Sequence, residues 1–190
     1  MNKALIFAAL VVALPVQAET YKSKFGSSIV LDGDSSVHKW KAESKLVGGT
    51  FEVDAEKLST KGKLEANAKV FIPVRSLKSG KKRMDEVMHA AMNAAKHSKI
   101  EFSLNELTVK AAKGTLTLCD SKGSLTINGK KKPIAMPVTI ARADAKLTIK
   151  GSIVIKMTDF GITPPSPKLP SGNIVTKDEV KVSFSWVTAK

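Results

Sequence analysis

The side chains that could act as acids, bases, nucleophiles or metal ligands are few and far apart in this sequence. The histidines are His38, His89 and His97, and no two of them stand at the spacing that metal-binding motifs use. Cys119, the single cysteine, falls within an alternating apolar pattern, which predicts a small buried thiol. Asp159 precedes a Phe-Gly pair and is expected to cap a turn. We therefore predict no metal site, no cofactor and no catalytic residue.

Positive charge is the most obvious feature of the composition. The 190 residues include 31 Lys plus Arg and 17 Asp plus Glu, for a net charge of +14. Only Arg75, Arg83 and Arg142 are arginines, although arginine makes the bidentate contacts typical of nucleic-acid recognition. Aromatic residues are 5% of the chain, too few to stack regularly on bases. We therefore expect no nucleic-acid partner and interpret most of the lysines as a solvated exterior.

The first 18 residues have the pattern of an export signal. A short basic start with Lys3 is followed by an uncharged apolar run and then by small residues at Val16 and Ala18. The run of about eleven residues is shorter than the roughly 20 needed to span a bilayer. We predict a signal peptide over residues 1–18 and one domain over residues 19–190, whose length suits a single core.

Most of that domain alternates apolar and polar residues with a period of two, which is typical of half-buried strands. The segments 64–74, 134–140 and 180–186 show the pattern most clearly. Asn128-Gly129, flanked by two such segments, predicts a tight hairpin. Lys122-Gly123 and Lys150-Gly151 are interpreted as further turns or β-bulges. About eight short strands separated by turns indicate a sandwich or a barrel.

One segment has helical instead of strand periodicity. Lys81–Lys96 contains no Gly or Pro, and Met84, Met88 and Met92 recur every four residues. The spacing predicts one amphipathic helix, with Ser79 as its N-cap. The methionine stripe could be ordinary core or a flexible wall around an apolar guest.

The predicted helix begins with three cations, Lys81, Lys82 and Arg83. Cations are unfavourable at this end of the helix dipole, but together with free backbone N–H groups they suit an anion. The run is either a solvated face or an anion site for a ligand head group. The proline-rich segment 162–172 cannot be a central strand and is predicted to be a loop at a barrel rim.

Six segments, in order along the chain, resemble the motifs of the YceI-like family. The resemblance rests on the segments 36–40, 48–51, 76–88, 98–102, 123–133 and 159–162, which read SVHKW, GGTF, SLKSGKKRMDEVM, SKIEF, GSLTINGKKKP and DFGI. Lys39 and Lys131 depart from the family pattern, where Asp and Thr are usual. The departures concern local polar contacts and leave the expected fold unchanged.

The resemblance implies an all-β protein: an eight-stranded antiparallel lipocalin-like barrel with one amphipathic helix. It also implies a periplasmic binding protein, not an enzyme, that carries a long isoprenoid lipid of polyprenyl or quinone type in an apolar lumen. A transient contact with a membrane surface is expected. Alternation phase and the methionine stripe select the candidate wall residues: Trp40, Phe51, Ile72, Met84, Met88, Phe102, Leu104, Leu118, Ile127, Met136, Ile140, Ile153, Phe184 and Trp186.

Two other functions are compatible with the sequence. A lysine-rich exterior could bind anionic envelope polymers or lipid head groups, in which case binding would fall steeply with salt. A hydrolase or isomerase with a site in the lumen would depend on His38, although no catalytic motif supports it.

Overall fold

The computed structural model describes residues 18–170 and 172–190, so the predicted signal peptide lies outside the described residues except for Ala18. One helix, α1, spans Lys82–Ala91, and short 3₁₀ turns lie at Lys57–Ser59, Val74–Ser76 and Thr158–Phe160. The strands are β1 (Glu19–Ser23), β2 (Ser28–Ser35), β3 (Trp40–Ser44), β4 (Gly48–Val53), β5 (Gly62–Leu64), β6 (Ala66–Pro73), β7 (Lys99–Lys113), β8 (Leu116–Ile127), β9 (Lys130–Ala143), β10 (Lys146–Lys156), β11 (Lys168–Leu169), β12 (Gly172–Asn173) and β13 (Thr176–Ala189).

The strands close into an antiparallel barrel with eight positions. Strands β6 to β10 and β13 each fill one position, while β1 with β2, and β3 with β4, share two more. The shared positions arise because β1 and β2 lie end to end along β13, which pairs with both. The pairing of β1 with β13 closes the ring. The expected eight-stranded barrel with one helix is confirmed.

The turn between β8 and β9 is the hairpin that the Asn-Gly pair predicts. Asn128 has φ of 51° and Gly129 has φ of 72°, so both central residues adopt the left-handed backbone of a type I′ turn. Neither Lys122-Gly123 nor Lys150-Gly151 forms a turn. Lys122-Gly123 lies opposite a β-bulge between Leu104 and Glu106 of β7, whereas the pairing of β10 with β13 continues without a shift through Lys150-Gly151. Gly123 lies inside β8 and Gly151 lies inside β10.

Aromatic rings pack over these two strand glycines and over two others. A Cβ atom on any of four strand glycines would meet an aromatic ring, from the directly paired residue in three cases and from a diagonal neighbour in the fourth. A missing side chain thus makes room for a large one on the next strand. The pairs are Gly33 with Trp40, Gly48 with Phe71, Gly123 with Phe102, and Gly151 with Phe184.

One end of the barrel is closed by side chains and a loop. Leu58 in the first 3₁₀ turn is fully buried, and Thr117 Oγ1 donates a hydrogen bond of 2.9 Å to its carbonyl oxygen. Arg142 Nη1 donates a hydrogen bond of 2.8 Å to the carbonyl of Ala55 in the same loop. The core at this end also contains Tyr21, Val53, Leu107 and Leu147.

The helix α1 lies at the other end and is shorter than predicted. It ends at Ala91, and Asn93 has φ of 51°, in the left-handed region, so the helix cannot continue to Lys96. Ser79 is not the N-cap: its N–H and its hydroxyl both donate to the Asp85 carboxylate, at 2.7 and 2.6 Å. Met92 is buried with the core of this end, and Met88 packs against it.

Candidate functional site

A cavity of about 660 Å³ lies inside the barrel, between the closed end and helix α1. Its volume is within the range of ligand-binding pockets in proteins. Deep in the barrel the wall is formed by residues such as Val138, Ile140 and Ile149, which are buried and apolar. Near the helix the lining includes exposed side chains, among them Arg83 and His38, so the cavity opens to solvent at this end. We call this opening the mouth.

The structure places thirteen of the fourteen predicted wall residues around the cavity. They come from seven of the eight barrel positions and from α1. They are Trp40, Phe51, Ile72, Met84, Met88, Phe102, Leu104, Ile127, Met136, Ile140, Ile153, Phe184 and Trp186.

The predicted position of Leu118 is wrong. Its side chain is 46% exposed on the outside of the barrel, while Cys119 next to it is buried. The turn or bulge predicted at Lys122-Gly123 would allow different phases on its two sides, but the bulge found there has its extra residue in β7. Because β8 is one continuous strand, Ile127 inside the barrel requires Cys119, not Leu118, to point inward.

Other wall residues were not selected from the sequence. Some follow the same alternation and simply extend it, such as Ile29, Leu31, Ile149, Val180 and Val182. Others come from irregular segments, where no periodicity could indicate them: Met157, Phe160, Ile162, Pro165, Pro167 and Ile174. The first group could have been found by applying the phase argument to every strand.

The predicted cation cluster is divided by the helix geometry. Lys81 and Arg83 line the cavity at the mouth, whereas Lys82 points into a separate shallow depression beside Arg75 and Asp85. Lys82 and Arg83, successive residues of α1, project about 100° apart, whereas Lys81 precedes the helix with extended backbone and is not bound by helical spacing. Arg83 Nη1 is 3.5 Å from the Glu86 carboxylate.

The proline-rich segment lies at the rim, as predicted. Its two short strands, β11 and β12, pair with each other, and the Ile174 N–H donates a hydrogen bond of 3.0 Å to the Pro167 carbonyl. Pro165, Pro167 and Lys168 line the cavity beside residues of α1. The segment therefore forms one side of the mouth.

The polar groups of several wall residues already have hydrogen-bond partners. Trp186 Nε1 donates to Ser23 Oγ at 2.7 Å, and Trp40 Nε1 donates to the Asp34 carbonyl at 3.2 Å. Ser121 Oγ donates to the Met136 carbonyl at 2.9 Å. The rings therefore present their apolar faces to the cavity, which suits an aliphatic guest.

The residues with chemical potential are not assembled into a reactive centre. His89 is buried, with Nε2 2.9 Å from the Leu77 carbonyl, and His38 is exposed at the mouth. Burial raises the pKa of the Cys119 thiol to about 11, with a smaller contribution from Asp120. Among residues 18–170 and 172–190, no three His, Cys, Asp or Glu side chains form a group that could hold a metal ion.

The acid beside the Phe160 turn is not the one expected to cap it. Asp159 is exposed, whereas the Asp178 carboxylate accepts hydrogen bonds from Thr158 N at 2.9 Å and from Thr158 Oγ1 at 2.6 Å. These hydrogen bonds lower the pKa of Asp178. The 3₁₀ turn that carries Phe160 to the cavity is thus fixed from β13.

In the part of the chain that the structure describes, no helix combines the length and apolar character needed to cross a membrane. No curated protein matches the chain. The fold is shared with several solved structures. BcnA of Burkholderia cenocepacia is 21% identical, with a TM-score of 0.68 over 85% of this chain and 95% of that chain.

A polyisoprenoid binding domain from Saccharophagus degradans, implicated in plant cell wall breakdown, also has a TM-score of 0.68, at 16% identity. That match covers 90% of this chain and 97% of the other chain. The YceI protein of Campylobacter jejuni is 13% identical, with a TM-score of 0.54 over 97% of this chain and 92% of that chain. The model of the YceI-like domain matches residues 23–188, which include every strand from β2 to β12. The chain therefore belongs to the YceI-like domain family.

Proposed function

We propose that the protein is a periplasmic carrier that holds a long isoprenoid lipid in the barrel cavity, with the head group at the mouth. The observation that carries the proposal is the apolar cavity of about 660 Å³ that is closed at one end and open at the other. Such a shape admits a chain-like guest end first. The role is binding and transfer, not catalysis.

The chemistry of the wall suits a branched aliphatic chain. The interior is lined mainly by Ile, Val, Leu, Met and aromatic side chains, and the charged lining residues are at the mouth. Burying each CH₂ group contributes about 0.8 kcal/mol, so even a few enclosed isoprene units give substantial affinity. The polyisoprenoid-binding description of the Saccharophagus degradans domain supports the same ligand class for this fold.

The mouth suits an anionic head group such as a phosphate. Lys81 and Arg83 project from the start of α1, where backbone N–H groups are also free. Arg83 forms an ion pair with Glu86, whereas Lys81 makes no ion pair within the described residues. We assign the head-group contact to Lys81 and Arg83 and leave Lys82 out of it.

The periplasmic location rests on the predicted signal peptide, residues 1–18. Mass spectrometry of the protein purified from the periplasmic fraction should give a mature chain that starts at Glu19. A full-length chain found in the cytoplasm would contradict the location.

The ligand is tested by extracting the purified protein with organic solvent and identifying lipids by mass spectrometry. We expect isoprenoid lipid from the wild type. Ala91→Phe adds a ring on the cavity side of α1 and should reduce binding of an added polyprenol about ten-fold or more. A ten-fold loss of affinity is about 1.4 kcal/mol, which is the burial energy of fewer than two CH₂ groups, so the ring needs to displace only a small part of the chain.

Ala90→Phe is the matched control, since Ala90 is exposed on the same helix and does not line the cavity. Equal effects of the two variants would contradict binding in the lumen. So would a wild type that carries no lipid and takes up no polyprenol.

The head-group assignment has its own matched pair of variants. Lys81→Glu should weaken binding of a polyprenyl phosphate about five-fold and leave binding of the uncharged polyprenol unchanged. Lys82→Glu, one residue away but outside the cavity, should change neither. If Lys82→Glu weakens the phosphate as much as Lys81→Glu does, the contact is diffuse surface charge.

A further inference from the structure

We propose that the mouth docks directly on an anionic lipid bilayer, with Val37 and Val175 inserted into the interface and lysines on the head groups. The purpose of such docking, exchange of the ligand with the membrane, rests on the proposed function. The docking itself is an independent property of the surface around the mouth. We call that surface the rim and define it as Val37, Lys39, Lys81, Lys168 and Val175.

The two valines form an exposed apolar pair beside the opening. Val37 is 64% exposed and Val175 is 58% exposed. Their segments are joined by hydrogen bonds of 2.8 Å from Ser36 N to the Val175 carbonyl and 3.0 Å from Val175 N to Ser36 Oγ. Each valine is next in the chain to cavity-lining residues, which are His38 for Val37, and Ile174 and Thr176 for Val175. An apolar guest leaving the cavity would therefore pass the valines.

The charges at the rim complement an anionic surface. Lys39, Lys81 and Lys168 are exposed, and none of them is in an ion pair within the described residues. Two acids near the rim are already engaged: Asp34 with Lys177 at 2.7 Å and Glu86 with Arg83 at 3.5 Å. Asp85 accepts hydrogen bonds from Ser79 and lies 3.8 Å from Lys78. The rim therefore presents a net positive charge around an apolar pair.

This combination provides the two interactions that hold proteins on membrane surfaces, which are electrostatic attraction to anionic lipids and insertion of apolar side chains. Each Lys or Arg near an anionic leaflet contributes about 1 kcal/mol, and apolar side chains add affinity when they enter the interface. Apolar residues are exposed elsewhere too, such as Leu116 and Leu118 on the barrel wall. Those two are far from the mouth and supply a control.

The test is co-sedimentation with vesicles of phosphatidylcholine, with or without phosphatidylglycerol. The wild type should bind the anionic vesicles, and the binding should weaken with added salt. Lys81→Glu with Lys168→Glu, and separately Val37→Asp with Val175→Asp, should each weaken it about ten-fold or more. Control pairs at the closed end, Lys113→Glu with Lys146→Glu and Leu116→Asp with Leu118→Asp, should bind like the wild type. Circular dichroism shows that each variant is folded.

Uptake of a polyprenol from detergent solution is measured on the same samples, which separates docking from ligand binding. A wild type that takes up polyprenol but does not sediment with anionic vesicles overturns the docking proposal alone. Vesicle binding without polyprenol uptake supports docking and contradicts the carrier function. Equal losses in the rim and closed-end variants would show general lysine-driven adsorption and overturn the proposed orientation.

Discussion

Single residues decide how much open space the barrel contains. Trp40, Phe102 and Phe184 line the cavity, and each packs over a glycine of a neighbouring strand. The indole of Trp40 covers Gly33, its partner across β2 and β3, and donates a hydrogen bond to the Asp34 carbonyl. A ring held flat against the backbone lines the wall without filling the lumen.

The substitution Gly33→Ala tests this packing. The new methyl group would collide with the Trp40 ring, so we expect the free energy of unfolding to fall by about 1–3 kcal/mol, as in other overpacked sites. In a Trp40→Leu background the same substitution should cost much less, and a double-mutant cycle by urea denaturation measures the difference. An unchanged cost in the double mutant would show that Trp40 is not the obstacle.

Cys119 gives a second prediction at the level of one residue. Because burial keeps the thiol neutral, the native protein should not react with a thiol reagent near neutral pH but should react once unfolded in urea. The folded-state pKa of about 11 exceeds the ordinary value of 9.0, so the stability contributed by the buried neutral thiol is fully present below pH 9 and is lost as the pH rises toward 11. Cys119→Ala should show a smaller loss over that window. Rapid labelling of the folded protein would contradict the burial.

The alternation of side chains identified most of the wall but failed where a strand departs from strict pairing. In β7, Leu104 and Leu107 both line the cavity although they are an odd number of residues apart. A bulge between Leu104 and Glu106 shifts the register with β8 and changes the phase. Leu118 shows the opposite error, because the bulge opposite Lys122-Gly123 adds its extra residue to β7 and leaves β8 continuous. The sequence pattern shows which residues of a strand face the same side. It does not show where a bulge reverses that assignment.

At the scale of elements, the 3₁₀ turn at Thr158–Phe160 connects the last strands to the cavity. Phe160 is 2% exposed and belongs to the core beneath α1, while Asn128 Nδ2 lies 3.3 Å from its carbonyl oxygen. Asp178 fixes the first residue of the turn with two hydrogen bonds. The turn therefore joins β13, the β8–β9 hairpin and the mouth.

Asp178→Ala should loosen this connection. We expect a loss of about 1 kcal/mol in the free energy of unfolding and weaker polyprenol binding, because the turn loses its capping hydrogen bonds. Asp159→Ala is the matched control and should leave both quantities unchanged. The pKa of Asp178 is lowered, so its contribution is present above the ordinary carboxylate range and is lost as the pH falls through the folded-state pKa. Equal effects of the two variants would show that Asp178 does not hold the turn.

The elements with the clearest local signals were predicted best. Asn128-Gly129 specifies its hairpin because both residues tolerate the left-handed backbone. The periodicity predicts the position of the helix but not its end, because Asn93 adopts the left-handed backbone in a segment with no Gly or Pro. The division of two barrel positions into β1 with β2, and β3 with β4, depends on long-range pairing with β13 and could not be found from local pattern.

At the scale of the whole molecule, the barrel is asymmetric along its axis. One end is filled by the core around Leu58, and the other opens between α1 and the proline-rich segment. The net charge of +14 does not predict this asymmetry, because lysines are exposed all over the surface. Only the folded chain shows which few of them surround the opening.

A ligand that occupies the cavity should stabilise the whole barrel. Binding to the folded state alone raises stability by about 2.7 kcal/mol at a free concentration one hundred times the Kd. The Tm of the wild type should therefore rise with added polyprenol, while that of Ala91→Phe should rise much less. A Tm that does not respond to polyprenol would contradict binding to the folded barrel.

The most direct test of the central claim is photoaffinity labelling with a polyprenol that carries a photoreactive group at the tail end. Tail-first insertion into the lumen predicts labelled peptides from the deep wall, at Val138, Ile140, Ile149 or Trp186, and competition by unlabelled polyprenol. Labelling confined to the outer surface, for instance at Leu116 and Leu118, or labelling that excess polyprenol does not reduce, would contradict a carrier that encloses its lipid.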